Sequence, residues 1–221
     1  MQYLYHKESG KDNITLKDSD YKYIIRVRRH KKNEIISLRN LEDNILYSYE
    51  ITDITKREAL LTLKESRYLE VKAKRELHIG WCIIEPKNIE KVLPILNEIG
   101  VSSISFIYCK RSQQNFKVDL KRLKRILLNS SQQSGRSDLM RLEILSSLEE
   151  FLKLYPKANL LNFSDNSIIS REIESIVVGC EGGFTQDEVA LFNSKDIVGL
   201  DTAMVLKSES AVCVVASNIL I

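Results

Sequence analysis

Three sets of residues in this chain have the types and spacing that chemistry needs. In VVGCEGGFTQDEVALF, residues 177–192, a short apolar run ends in a glycine-rich turn and a helix start follows. Gly179, Gly182 and Gly183 permit positive φ and close backbone approach, so main-chain groups at such a turn can hold a ligand. The spacing is not the G-x-G-x-x-G of a dinucleotide site, it comes late in the chain, and no Gly-Lys-Ser/Thr follows, which argues against a nucleotide phosphate. A turn built only for chain reversal accounts for the same glycines equally well. A second break, IVGLDTAMVLKSES, lies a strand–helix unit further on, where Gly199 closes a strand as Gly179 does. Ligands of open α/β sheets bind beyond the carboxyl ends of strands, so these two loops, with the end of ANLLNF as a third, can line one pocket.

The other two sets are basic. Around RLKRILLNSSQQSGRS, the residues Lys110, Arg111, Lys117, Lys121, Arg122, Lys124, Arg125 and Arg136 face few acids nearby in sequence. That density suits phosphate contacts, and it equally suits a solvated helix face. In KYIIRVRRHKK, the residues Arg26, Arg28, Arg29, Lys31 and Lys32 accompany Tyr21 and Tyr23. Cations interleaved with aromatics suit RNA, and a charged edge strand explains them as well. The net charge of +3 is small, so any nucleic-acid role rests on these local patches.

Other chemistries find little support. The three histidines, His6, His30 and His78, are not spaced to share a metal or build a Ser–His–Asp site. Cys82, Cys109, Cys180 and Cys213 lie in or beside apolar runs with no C-x-x-C spacing, and are read as buried thiols. No apolar run approaches the ~20 residues that span a bilayer, and MQYLYHKESGKDN lacks a signal-peptide core, so the expected location is the cytoplasm.

Two kinds of element must position these residues. The first third reads as short strands between polar turns: YKYIIRVRRH, NEIISLRN, NILYSYEITDIT and RYLEVKAKRELHIGWCII. From Trp81 onward apolar strands alternate with amphipathic helices. The strands are WCIIE, ISFIY, ANLLNF, SIVVG and DIVGL. NIEKVLPILNEIG is a helix with Asn88 at its N-cap, Gly100 after its end and Pro94 near its first turn or at a kink. VDLKRLKRILLNSSQQSG puts Leu120, Leu123 and Leu127 on one helical face and ends at Gly135. Thr185 and Glu188 have capping-box spacing. SESAVCVVASNILI is ambiguous: its valines favour a strand, whereas its length and Ser208 as N-cap favour a buried helix. Alternation of this kind implies an α/β fold with a mostly parallel sheet covered by helices on both faces. The join to the β-rich part is expected near residues 70–76.

Together these residues resemble the SPOUT-class small-subunit rRNA uridine-N3 methyltransferases. IIRVRRHKKNE is similar to the arginine-rich stretch of that family's β-barrel. Gln133, Ser134, Gly135 and Arg136 match its Q-S-G-R motif, residues 178–184 its I-G-P-E-G-G-F/L motif, and VGLDTAMVLKSESA its last motif. Cys180 stands where the family has proline, Lys207 where it has arginine, and Ser208 and Ser210 where it has threonines.

The resemblance implies a PUA-like β-barrel over 1–72 and a SPOUT domain with a C-terminal trefoil knot over 73–221. It implies S-adenosylmethionine bound by Leu161, Asn162, Gly179, Cys180, Glu181, Gly182, Gly183, Gly199, Leu200, Val205, Leu206 and Ser208. The implied reaction is methylation of a uridine N3 in 16S rRNA within the small subunit, by a homodimer, with no metal. Arg136, Arg111, Lys207 and Glu209 are the catalytic candidates; Glu181 or Glu209 can accept the N3 proton or orient a loop through its N–H groups, the second role being favoured for both. Arg26, Arg28, Arg29, Lys31, Lys121, Lys124 and Arg125 are the RNA-binding candidates. Two other readings remain open: a SPOUT enzyme acting on a ribose 2′-OH or a tRNA, and a non-catalytic RNA-binding ribosome-assembly factor.

Overall fold

The computed structural model describes residues 2–170 and 172–221. The chain forms two compact units: residues up to 72 with 131–139, and residues 73–130 with 140–221.

In the first unit, β1 (Leu4–Tyr5), β2 (Asn13–Leu16), β3 (Ile35–Arg39), β4 (Ile45–Ile54) and β5 (Ala59–Tyr68) form one sheet in the order β1-β3-β4-β5-β2. All pairings are antiparallel except β1 with β3. The β4–β5 ladder shifts register between Ser48 and Tyr49 and again between Ile51 and Asp53. Such bulges increase twist and curl a sheet. Leu4, Leu16, Ile24, Leu38, Tyr49, Ile51 and Leu61 fill the core.

YKYIIRVRRH is not a strand. Asp18–Tyr21 is a turn of α-helix, α1, and Lys22–Val27 continues it as a π-helix. Arg28 N–H donates to the Tyr23 carbonyl at 2.8 Å, five residues back. Buried Tyr21 and Ile24, three apart, form the inward face, while Val27 is exposed. Two periodicities compete in this segment. The helical one wins because Tyr21 also anchors its hydroxyl on the Thr55 carbonyl, 2.8 Å away. The basic patch is therefore displayed on a helical turn and the loop after it.

In the second unit, β6 (His78–Cys82), β7 (Ser103–Ile107), β8 (Arg141–Leu145), β9 (Asn159–Leu161), β10 (Ser175–Val178) and β11 (Ile197–Val198) form an all-parallel sheet in the order β11-β9-β10-β6-β7-β8. Helices α2 (Pro86–Ile99), α3 (Leu120–Ser134), α4 (Leu148–Leu154), α5 (Gln186–Val189) and α6 (Ser208–Leu220) connect or follow the strands. β6, β7 and β10 are buried along their whole length, as expected of central parallel strands. β8, RLEIL, escapes the sequence reading because it lies at the sheet's edge and is only part-buried.

Local signals are partly followed. Gly100 takes φ 107° after α2, and Gly135 takes φ 86° after α3. α2 begins with Pro86 behind Glu85, so Asn88 lies in the first turn and is not the cap. A proline at the first helical position removes an N–H that would have lacked a partner anyway. Pro94 sits well inside α2, and its carbonyl accepts a hydrogen bond from Ser130 Oγ at 3.2 Å. The capping box of Thr185 and Glu188 forms. The ambiguous tail is helix α6, packed on α2 and β10. Burial of Val212, Val215, Ala216 and Ile219 on one face outweighs the strand propensity of its valines. Its N-cap is Lys207, and Ser208 is its first residue.

The cysteine reading needs one correction. Cys82 and Cys109 form a disulfide, with Cα atoms 5.7 Å apart, and only Cys180 and Cys213 are free. β6 and β7 are parallel neighbours with Cys82 opposite Ile107, which brings Cys109 alongside.

At the start of β6, the end of the strands away from the glycine loops, His78 is buried in T-shaped contact with Phe151 and Tyr155. Its Nε2 lies 2.6 Å from Ser105 Oγ, which donates its single proton to Glu143. The imidazole Nε2–H must therefore donate to Ser105. Burial lowers the His78 pKa to about 4; Glu143 opposes this shift and Arg141 adds to it. The ring is neutral in the fold, whereas an unfolded ring takes up a proton below about pH 6.5. This contribution to stability is full above that pH and is lost as pH falls towards 4. Urea titrations at pH 7 and pH 5 should show a larger loss for the wild type than for His78→Gln. Equal losses would remove His78 as the cause.

Candidate functional site

The carboxyl ends of β9, β10 and β11 open into a cavity of about 1060 Å³. Three stretches wall it: residues 161–167 after β9, residues 178–184 after β10, and residues 199–208 between β11 and α6, with Arg111 and Ala211 completing the lining. Every residue assigned above to cofactor binding lies on this wall, Leu161 and Asn162 from the first loop, Gly179 to Gly183 from the second, and Gly199, Leu200, Val205, Leu206 and Ser208 from the third. Sequence reasoning missed Phe163, Asp165, Phe184, Asp201 and Met204, which also line it. Loop residues without periodicity leave no sequence signal of this kind.

The glycines have separate jobs. A Cβ on Gly199 would stand 2.1 Å from the Ser164 carbonyl oxygen. The two loops interlock there: Gly199 N–H donates to Asn166 at 2.8 Å, Ile168 N–H to Gly199 at 3.1 Å, and Asn162 N–H to Val198 at 3.0 Å. Gly183 needs its left-handed φ of 65° and faces open space. Its N–H donates to the Cys180 carbonyl at 2.9 Å, so the turn closes without the proline that Cys180 replaces. Cys180 itself is a buried free thiol.

Ser208 is fully committed. Its hydroxyl donates to the Gly179 carbonyl and accepts from Trp81 Nε1 at 2.9 Å, tying the start of α6 to the glycine turn. Arg111 Nη1 donates to the Gly182 carbonyl at 2.7 Å. Lys207 is exposed. Glu209 is half-buried, and its Oε2 is buried with no hydrogen-bond partner among the described residues. Glu181 is exposed at the turn. The carboxylate that does bind loop N–H groups is Glu188, which the sequence marked only as a cap.

Arg136 belongs to the first unit and is 4% exposed. Its Nε and Nη2 contact the two oxygens of Asp138 at 2.7 and 3.2 Å, a two-pronged pair that fixes the guanidinium plane. Its carbonyl accepts the Tyr3 hydroxyl at 2.7 Å. Among the basic candidates, Arg26, Arg28, Arg29, Lys31, Lys121, Lys124 and Arg125 are all exposed. Arg28 donates to the Tyr23 hydroxyl at 2.8 Å and lies over its ring. Three of the cations in and around α3 have acids after all: Lys110 pairs with Asp187, Arg122 with Glu90 and Arg136 with Asp138.

The cavity suits a small ligand that carries a positive charge together with both polar and apolar groups. Its wall combines backbone groups of the glycine turn, apolar side chains such as Phe184 and Leu206, and the carboxylates Asp165, Glu181 and Asp201.

Comparison with known proteins agrees with this geometry. Residues 71–220 match the family model of an RNA methyltransferase domain, and residues 16–64 that of an RNA methyltransferase PUA domain. The chain is 43% identical to ribosomal RNA small subunit methyltransferase E of Helicobacter pylori strain 26695, over 98% of each chain. It is 27% identical to the protein of that name in Rickettsia conorii, over 80% of this chain and 75% of the other. The fold superposes on ribosomal RNA small subunit methyltransferase E of Neisseria gonorrhoeae, solved bound to S-adenosyl methionine, with a TM-score of 0.81 and 18% identity over 98% and 95% of the two chains. A Legionella pneumophila protein solved in complex with the bound cofactor SAM superposes with a TM-score of 0.82 and 19% identity over 99% and 96% of the two chains. The chain therefore belongs to the ribosomal RNA small subunit methyltransferase E family.

Proposed function

We propose that this protein transfers the methyl group of S-adenosylmethionine to N3 of a uridine in 16S rRNA. The observation that carries the reading is the cavity itself at the carboxyl ends of β9, β10 and β11, walled by three loops, two interlocked at Gly199 and the glycine turn tied in through Ser208. S-adenosylmethionine supplies an electrophilic methyl group on a sulfonium. The residues of this chain do the rest. The Gly179–Gly183 turn and the Gly199 loop hold the cofactor through backbone groups. Uridine N3 must lose its proton to become a nucleophile, so cations beside the base lower the cost of the developing anion. Arg111, on the cavity wall, and Arg136, held by Asp138, are assigned that task, with Lys207 a further candidate. Glu181, on the cavity wall, and Glu209 are the candidates to accept the proton that N3 gives up, and S-adenosylhomocysteine leaves as the methyl group is transferred. Alignment of N3 with the methyl group supplies much of the remaining acceleration.

Residues 1–72 are proposed as the RNA-binding PUA-like domain and residues 73–221 as the SPOUT domain. The Gly199–Ser164 interlock supports a trefoil knot. Exposed Phe163, Met204 and Val205 on the cavity wall support a homodimer that covers them. Light scattering should then return twice the chain mass of 25.5 kDa, and a monomer mass would count against it. The proposed setting is the cytoplasm, where the small subunit is assembled. Disulfides are uncommon there; Cys82 and Cys109 are both fully buried, which shields them from thiol exchange.

Nucleoside mass spectrometry of rRNA from a deletion strain tests the reaction. Loss of 3-methyluridine is expected. Loss of a 2′-O-methyl nucleoside with 3-methyluridine intact would favour the ribose-modifying alternative. The exposed cations are proposed to contact phosphates. Neutralising Lys121, Lys124 and Arg125 together should then flatten the salt dependence of RNA binding by about three units of slope. An unchanged slope would return that face to ordinary solvated surface.

A further inference from the structure

Glu188 lies in α5 and is 1% exposed. One of its carboxylate oxygens accepts the Thr185 N–H at 2.8 Å, which is the expected half of a capping box. The other oxygen accepts the N–H of Lys110 at 2.8 Å, across 78 positions of sequence. A single buried carboxylate thus joins the turn after β7 to the turn after β10. The residue after Lys110 is Arg111, whose guanidinium lies on the Gly182 carbonyl and whose Cβ stands 3.2 Å from where a Gly182 Cβ would be. Lys110 Nζ reaches Asp187 at 3.1 Å, so the same short helix holds this turn from a second side.

We infer that Glu188 is a positioning residue for methyl transfer. It bridges the two turns through its two oxygens and so holds Arg111 against the glycine turn that forms the cofactor wall. The inference rests on the cofactor reading above and adds a residue to it. A carboxylate can accept at both oxygens, whereas a glutamine amide has one acceptor and one donor. In Glu188→Gln the amide nitrogen must face either the Thr185 or the Lys110 N–H, and that link breaks. In Glu188→Asp the charge and the capping position remain, but the side chain is shorter by about 1.5 Å and does not span the two turns.

The test measures S-adenosylmethionine affinity by calorimetry, single-turnover methyl transfer and thermal midpoint for wild type, Glu188→Gln, Glu188→Asp and Thr185→Ala. Thr185→Ala weakens the α5 cap but leaves the Lys110 link intact. Both Glu188 variants are expected to lose about 10-fold to 100-fold in transfer rate, the scale set by small misplacements of reacting groups. Thr185→Ala is expected to lower the midpoint with little change in rate or affinity. In an Arg111→Ala background the rate penalty of Glu188→Asp should shrink, because the two residues act through one contact. Equal rate losses in Thr185→Ala and the Glu188 variants, or wild-type rates in both Glu188 variants, would overturn the inference. Failure of the wild-type protein to bind S-adenosylmethionine is a different result, and it would overturn the function reading on which the inference stands.

Discussion

Gly199→Ala is expected to abolish cofactor binding and to destabilise the second unit by about 3 kcal/mol, the upper end of the usual cost of overpacking a tight site. The added methyl would stand 2.1 Å from the Ser164 carbonyl oxygen and 3.1 Å from that residue's backbone nitrogen and carbonyl carbon. Both sides of the clash are main chain. Relief by backbone movement is blocked on each side. Ser164 Oγ and Asn166 Nδ2 both donate to the Ile197 carbonyl, at 3.1 and 2.9 Å, and the Gly199 N–H and carbonyl are both engaged. A shift large enough to admit the methyl breaks several of these bonds and opens two of the three cavity walls at once. Gly183→Ala is the informative comparison. Its Cβ meets nothing within 4 Å, so only the left-handed φ is penalised, at about 1–2 kcal/mol. Thermal unfolding and calorimetry with S-adenosylmethionine should rank Gly199→Ala far below Gly183→Ala. A Gly199→Ala protein with near wild-type midpoint and affinity would mean that the two loops separate easily.

Arg136→Ala is expected to reduce methyl transfer by about 10²-fold or more while leaving S-adenosylmethionine affinity unchanged. Removing one preorganised donor aimed at developing negative charge typically costs about 10²–10³ in rate. Arg136 is proposed as such a donor; its side chain is 5% exposed, and its guanidinium plane is set by the two-pronged contact with Asp138. Asp138 is itself 42% exposed, so water can take over its solvation in the variant and the stability loss stays modest. Arg136→Lys keeps the charge and loses the fork, and should fall between the two. Single-turnover transfer beside calorimetric affinity separates chemistry from binding. Full transfer by Arg136→Ala would remove this residue from the reaction.

Much of the candidate site is legible in the sequence. The glycine-rich turn, the break at Gly199 and the end of ANLLNF each follow an apolar run, and a parallel sheet brings the carboxyl ends of such runs to one edge. The capping box at Thr185 and the left-handed glycines after α2 and α3 were legible for a local reason: each is decided by a few consecutive residues. The failures have equally definite causes. KYIIRV alternates and is β-branched, yet it folds as helix because Tyr21 and Ile24 share a buried face. RLEIL has strand propensity but sits at an edge, where neither face shows a clear apolar pattern.

By itself the sequence determined most of the buried strands and helices, some of their ends, and which family their motifs resemble, because these follow from local propensity, periodicity and motif residues. Only the tertiary structure decided that Cys82 meets Cys109, that Ser208 joins Trp81 to Gly179, and that Gly199 must pass Ser164 with no room for a side chain. It alone turned Glu188 from a helix cap into a bridge to Lys110. Periodicity reports which face of an element is covered. It carries no information on which distant backbone group covers it, and in this protein those distant pairings build the walls of the cavity.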